Sequence, residues 1–204
     1  MAFYHSAIPP QILLWSLRFK PHINSCIRIA YLNLKLIYNN KDFLSVPHRK
    51  LLCESLVLSR FNYTLYRSNI DSDDARRIQV VQNSCLRLIF GIRRREHISH
   101  KLFDVSWLNM KNRRLFSSLC LFQKIIFFKY PKYLYRKITF RADVNNLNVR
   151  FKGQISSLLH KKDIFKRSLT FTIYTSYDLI PDNLKSLNIG RFKSNLKKYL
   201  FSNK

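Results

Sequence analysis

The fold class is decided by residues 71–91, which read DSDDARRIQVVQNSCLRLIFG. Apolar side chains recur there at spacings of three and four, the repeat of one face of an α-helix. They are Ile78, Val81, Cys85, Leu88 and Ile89. The acidic residues ahead of this stripe suit the positive end of a helix dipole, and Gly91 suits the left-handed residue that ends many helices. The pattern therefore predicts an amphipathic helix between Asp71 and Gly91.

The opposite face of this helix is polar and basic. At about 100° per residue, Arg76, Asn83 and Arg87 fall within about 40° of one another, away from the apolar stripe. We therefore expect the helix to bury one face and to present the other to an anionic partner.

The same spacing predicts further helices on both sides of this stretch. They cover His22–Tyr38, a stretch from Pro47 towards Phe61, Ser99–Val105, Met110–Phe128, Tyr133–Lys137 and Phe192–Phe201. The β-branched and aromatic stretch Phe171–Tyr174 instead predicts a strand, and Pro181–Asn183 predicts a turn or helix cap. The fold class that follows is mainly α, a helical bundle followed by a small α+β C-terminal segment.

The composition changes after residue 138. Residues 139–168 differ in character from the helices before them and are rich in Asn and Lys. We place a domain boundary here, between a helical domain that ends at residue 138 and a small mixed segment over residues 139–204.

The chain carries a formal net charge of +26, because 37 Lys and Arg face 11 Asp and Glu among its 204 residues. Hydrophobic residues make up 47%, which predicts a packed core rather than a disordered basic tail. Self-repulsion of this size opposes compaction. RNA or DNA would relieve it by phosphate contact and counterion release, whereas one basic amphipathic helix more often serves a membrane surface. We therefore expect a nucleic-acid partner and no membrane.

Two dense basic clusters are candidates for phosphate contact. Arg93–Arg95 follow the helix end at Gly91, where a loop would expose them; the alternatives are a solvated loop or a nuclear-import patch. The second cluster contains Lys161 and Lys162, and a solvated surface explains it equally well. The predicted nucleic-acid-binding residues are Arg76, Asn83, Arg87, Arg93, Arg94, Arg95, His97, Lys111, Arg113, Arg114, Lys161 and Lys162. Tyr133 and Tyr135 are the aromatic residues that we expect to be exposed enough to stack on bases.

Motifs that would indicate catalysis are missing from the sequence. With 3 Gly in all, it has no glycine-rich phosphate loop, and it has neither a G-x-S-x-G elbow nor a His-Glu-x-x-His motif. The adjacent Asp73 and Asp74 suit a helix start better than a metal-binding pair. We therefore expect no catalysis, no cofactor and no small-molecule substrate.

The cysteines and the apolar runs bear on metal binding and location. Cys26, Cys53, Cys85 and Cys120 are far apart and predict buried free thiols rather than a zinc site. The N-terminal stretch is a poor signal peptide, and no apolar run approaches the roughly 20 residues that cross a bilayer. These features predict an intracellular protein, nuclear or cytoplasmic, without a metal.

Several short stretches between about Leu17 and Leu200, taken in order, form a recognisable series. They are Leu17–Ile23, Phe61–Tyr63, Arg77–Gly91, Arg94–Ile98, Trp107–Leu108, Asn112–Arg114, Pro131–Leu134, Asn148–Arg150, Phe165–Ser168 and Leu179–Pro181. Together they resemble the region after the palm in the reverse transcriptases of Jockey-like non-LTR retrotransposons.

This resemblance implies a thumb-like role for the helices up to residue 138, packed along a template-primer duplex. The family's aromatic-x-Asp-Asp palm motif does not occur in the sequence, so the expectation is a non-catalytic fragment of an RNA-directed DNA polymerase that binds RNA or RNA/DNA. A polymerase palm supplied by another polypeptide is a further possible partner. Residues 1–16 depart from the family and are interpreted as a divergent N-terminal extension.

A second interpretation is a protein-interaction module, or a decayed remnant that needs the missing palm. Such a chain would expose apolar side chains that the palm once covered. Leu32, Leu36 and Val57 lie off the main apolar stripes and are the expected members of that face.

Overall fold

The protein is described by a computed structural model over residues 20–62, 70–141, 155 and 169–202, and within these residues it is mainly helical. The proposed N-terminal extension, Tyr63, Lys161 and Lys162 lie outside the described residues. Within those ranges no helix combines the length and the apolar content needed to cross a membrane.

Each stretch that was predicted to be helical overlaps a helix. The helices are α1 (Lys20–Asn39), α2 (Val46–Leu52), α3 (Ser72–Phe90), α4 (Lys101–Asp104), α5 (Met110–Phe128), α6 (Lys132–Tyr135), α7 (Leu169–Asp178), α8 (Asp182–Lys185) and α9 (Ile189–Ser202). The described residues form no strand, and their β-structure is limited to one isolated antiparallel bridge between Phe140 and Ile155.

Helix α3 forms as the pattern predicted. Asp71 precedes it in an extended conformation, and Asp73 and Asp74 lie in its first turn, so these carboxylates mark a helix start. Gly91 follows the helix at φ 68°, a backbone conformation in which a Cβ atom is unfavourable. The stripe residues Ile78, Val81, Cys85 and Ile89 are buried, and Leu88 is half-buried against the same cluster.

The helix that begins at Val46 does not stay α-helical up to Phe61. After Leu52 the chain forms a π turn over Cys53–Val57 and a 3-10 turn over Leu58–Phe61. An α-helical wheel does not hold through a π turn, and Val57, expected on an exposed apolar face, is fully buried. The expectation for Val57 was therefore wrong, whereas Leu32 and Leu36 are exposed.

Two hydrophobic clusters stabilise the described part of the chain. The first joins α1, the segment from Val46 to Phe61 and α3 to the residues before α5. The second joins α5, α7 and α9, with Ile138 and Ile155. The clusters meet at Leu108 and Met110, which belong to the second and the first respectively. The domain boundary expected at residue 139 stays a prediction.

The strand expected at Phe171–Tyr174 was wrong, because these residues belong to α7. Ile173, Tyr174 and Tyr177 are buried. Tyr177 follows the other two by four and three residues, the spacing of a helix face. The rings of Tyr174 and Tyr177 lie 5.5 and 4.9 Å from the ring of Phe122 on α5. Packing against α5 thus overrides a local preference for extended structure.

A network of side-chain amides fixes the junction between the two clusters. The fully buried Gln82 on α3 donates to the Leu108 carbonyl at 2.9 Å and accepts from Gln79 at 2.9 Å. Gln79 in turn accepts from the Met110 N–H at 2.9 Å. Because Met110 is the first residue of α5, this network positions the start of that helix against α3.

Replacing Gln82 by Met should destabilise the protein by about 1–3 kcal/mol, because the side chain keeps its length while the Leu108 carbonyl loses its buried donor. Chemical denaturation followed by circular dichroism would measure the loss. Val80→Ala, at an exposed position of the same helix, is the matched control and should change stability by less than about 0.5 kcal/mol. Equal stability of the Met variant and the wild type would contradict a structural role for the network.

Candidate nucleic-acid interface

The arginine loop, residues 91–97, folds back on the end of α3. Gly91 reverses the chain, and the Arg87 guanidinium donates to the carbonyls of Arg94 at 3.1 Å and Glu96 at 3.3 Å. The side chains of Arg93, Arg94, Arg95 and His97 are all exposed. The backbone of the loop is therefore fixed while its cations remain accessible.

Arg87 itself is placed to hold this loop. It is half-buried, and its Nε is enclosed without a hydrogen-bond partner. A guanidinium that already donates to two loop carbonyls is a positioning group for the arginines above it. Its predicted contact with phosphate stays a prediction.

The three polar residues of α3 do not form one open basic face, as the helical wheel had indicated. Arg76 extends into solvent and pairs with Asp73 at 2.9 Å. Asn83 is half-buried and accepts from Gln79 at 3.0 Å. Of the three, Arg76 alone is exposed, because the chain folds over the C-terminal half of the helix.

An open groove of about 580 Å³, here called the tyrosine groove, runs between α1 and the C-terminal end of α3. It is lined by Tyr31, Leu34, Lys35, Tyr38, Lys41, Arg49, Ser84, Arg87, Leu88, Gly91, Ile92 and Arg93. These lining residues include five cations and neither Asp nor Glu. The groove therefore offers an anionic ligand positive charge from several parts of the chain.

Geometry explains how α1 contributes to this groove. Tyr31, Lys35 and Tyr38 fall within about 60° of one another on the helix, beside the buried stripe rather than opposite it. The Lys41 ammonium lies 4.6 Å from the centre of the Tyr38 ring, a cation–π contact. Arg49 donates to the carbonyls of Leu44 at 2.9 Å and Ile89 at 3.3 Å, so it connects the groove wall to α3.

These α1 residues were not predicted to belong to a binding site. Their spacing of four and three was visible in the sequence, but such spacing on a polar face describes most solvated helices. What distinguishes these residues is that the end of α3 faces them, and this juxtaposition arises only in the tertiary structure.

The cations at the start of α5 lie on a different surface. Arg114 is half-buried beside Ile78 and Met110 in a cavity of about 280 Å³ to which Lys111 also contributes. Arg113 donates to Asn62 at 3.3 Å. Burial lowers the pKa of both arginines, and the charge of Glu54 opposes this for Arg113. The predicted residues are thus divided, with Arg87 and Arg93 in the tyrosine groove and Lys111 and Arg114 in this cavity.

The four thiols are free, as predicted; Cys26, Cys53 and Cys85 are buried, whereas Cys120, also expected to be buried, is half-buried. A hydrogen bond with the Cys53 thiol, together with burial, raises the pKa of Cys85 well above its usual range. Burial raises the pKa of Cys26, and it raises that of Cys120 to about 11. Because the thiolate is the reactive form, these three groups suit packing better than nucleophilic chemistry near neutral pH.

Comparisons with known proteins give no family assignment. No protein-family model matches the sequence, and neither curated proteins nor solved structures include a match to it. The resemblance to retrotransposon reverse transcriptases therefore stays a prediction.

Replacing Arg87 by Met should release the arginine loop, because the carbonyls of Arg94 and Glu96 lose a charged donor. We expect faster backbone amide exchange over residues 93–97 and a loss of about 1.5–3 kcal/mol in stability. Hydrogen exchange resolved by mass spectrometry would measure the first effect and chemical denaturation the second.

Arg76→Met on the same helix is the matched control, since it removes an equal charge from an exposed pair worth about 0–1 kcal/mol. If both variants exchange as the wild type does over the loop, Arg87 does not hold it.

Proposed function

We propose that this chain binds RNA or an RNA/DNA hybrid through backbone phosphates, with the tyrosine groove and the adjoining arginine loop as the contact surface. The observation that carries the proposal is the meeting of Lys35, Lys41 and Arg93 in one groove whose described lining contains no carboxylate. Arg94 and Arg95 extend the positive surface beyond the groove.

The arrangement favours a polyanion over a single small anion. The groove's five cations come from α1, from the segment after it, from α2, from the end of α3 and from the loop that follows, so they are distributed along a surface rather than converging on one point. A phosphate backbone supplies repeated charges that such a surface can neutralise together, with release of the counterions bound to each. The net charge of +26 adds long-range attraction for the same ligand.

The same proposal includes the origin of the chain: we propose that it derives from a non-LTR retrotransposon reverse transcriptase. On that basis the helices α1–α5 would act as a thumb-like module on a template-primer duplex, without catalysis by these 204 residues. A palm from another polypeptide would then be a protein partner. RNA as a ligand would place the protein in the nucleus or the cytoplasm.

A protein-interaction role is the second candidate, and the exposure of Leu32 and Leu36 favours it. Their side chains are 56% and 62% exposed and lie opposite the buried stripe of α1, in a position that a partner helix could cover. Light scattering coupled to size exclusion separates the candidates. A monomer that binds nucleic acid supports the first, whereas self-association without binding supports the second.

Replacing Arg93, Arg94 and Arg95 together by Ala should weaken hybrid binding and flatten its salt dependence. Each phosphate contact contributes about 0.7–0.9 to the slope of log affinity against log salt, so losing three contacts should lower the slope by about 2–3. Fluorescence anisotropy with a labelled RNA/DNA hybrid across a salt series would measure it.

The control is the triple variant Arg191→Ala, Lys193→Ala and Lys198→Ala, three exposed cations of α9. It removes the same charge from a helix that does not line the tyrosine groove. An unchanged slope in the loop variant, or an equal decrease in both variants, would exclude a specific contact by the arginine loop.

A further inference from the structure

Two exposed tyrosines line the tyrosine groove, and phosphate contact alone does not explain their rings. Tyr31 is 42% exposed and Tyr38 is 56% exposed, and neither belongs to either hydrophobic cluster. Both line the groove, with Lys35 between them in the sequence and Arg93 on the groove's other side. Aromatic rings beside unpaired cations are the combination by which proteins bind the bases and the backbone of a single strand.

The spacing of the two rings favours an unstacked strand. Seven residues along a helix correspond to about 10 Å at 1.5 Å per residue. Neighbouring bases of a duplex strand are about 3.4 Å apart, and their faces are covered by one another. A duplex would therefore leave both rings without a base, whereas an extended single strand can place one base on each ring.

The Lys41 contact is compatible with such stacking. Its ammonium lies over the Tyr38 ring at 4.6 Å from the centre, so it covers one face of the ring, and Tyr38 is still 56% exposed. Leu34 and Leu88 contribute apolar surface to the same groove, which suits the edge of a base.

We infer that the tyrosine groove binds single-stranded RNA or DNA, with bases stacked on Tyr31 and Tyr38 and phosphates at Lys35, Lys41 and Arg93. The inference rests on the proposed function and narrows it, because it assigns to this groove a strand rather than a duplex. Sequence preference is expected to be weak, since every base presents a face for stacking.

The test compares a labelled single strand of mixed sequence with the duplex of the same sequence, at one salt concentration, by fluorescence anisotropy. The double variant Tyr31→Leu and Tyr38→Leu should lose about tenfold or more in affinity for the single strand and keep its affinity for the duplex. The double variant Tyr31→Phe and Tyr38→Phe keeps both rings and should bind as the wild type does. Phe128→Leu, an exposed aromatic residue of α5 that does not line the tyrosine groove, is the control and should have no effect.

Three results would overturn the inference: unchanged single-strand binding by the double Leu variant, an equal loss in the Phe variant, or an equal loss with Phe128→Leu. The single variants Tyr31→Leu and Tyr38→Leu, checked by circular dichroism, cover the case in which the double Leu variant does not fold. The proposed function fails separately, by the absence of salt-sensitive binding to any of the nucleic acids. Duplex binding that survives all the tyrosine variants would retain that function and remove only the stacking role.

Discussion

The hydrogen bond from the buried Gln82 amide to the Leu108 carbonyl fixes the part of the chain on which the later helices depend. An unpaired polar group in such a position costs about 1–3 kcal/mol, so the carbonyl and the amide must stay together. Gln79 satisfies the Met110 N–H and the Asn109 side chain satisfies the Asn112 N–H at 2.7 Å, two of the donors that a helix start leaves open. Helix α5 therefore begins at a defined residue and runs in a defined direction, and the second hydrophobic cluster forms along it.

The arginines of this protein fall into two groups, structural and exposed, and counting arginines in the sequence does not distinguish them. Arg49 and Arg87 donate to backbone carbonyls, and Arg77 connects Asp74 to Asn24 on α1 at 2.9 and 2.8 Å. These side chains are already bonded within the protein. The exposed Arg93–Arg95 stand on a backbone that Arg87 holds, so a structural arginine determines where the free ones are presented.

Much of the secondary structure was predictable because the hydrophobic clusters are formed by apolar residues at regular helical spacing. Met110–Phe128 was predicted with its observed bounds, and the capping signals of α3 are local. The π turn at Cys53–Val57 and the helix at Leu169–Asp178 were not predictable, because packing against other helices decides both. The same limit applies to the candidate site. The exposed loop arginines could be selected from sequence, whereas Tyr31 and Tyr38 acquire meaning only when the end of α3 faces α1.

Ion pairs contribute little to the tertiary structure of the described residues, and this determines how salt acts on the protein. Each pair within those residues joins neighbours three apart in one helix. Contacts between elements include hydrogen bonds to backbone carbonyls, as Asn112 donates to that of Leu200 at 3.0 Å and Gln123 to that of Lys185 at 3.0 Å. Salt therefore removes few contacts that hold the fold, and it screens the mutual repulsion of the excess cations. For the proposed ligand the effect has the opposite sign, because added salt opposes counterion release. The fold and the nucleic-acid complex thus depend on different interactions, and the charge that opposes folding is the charge that the proposed ligand would neutralise.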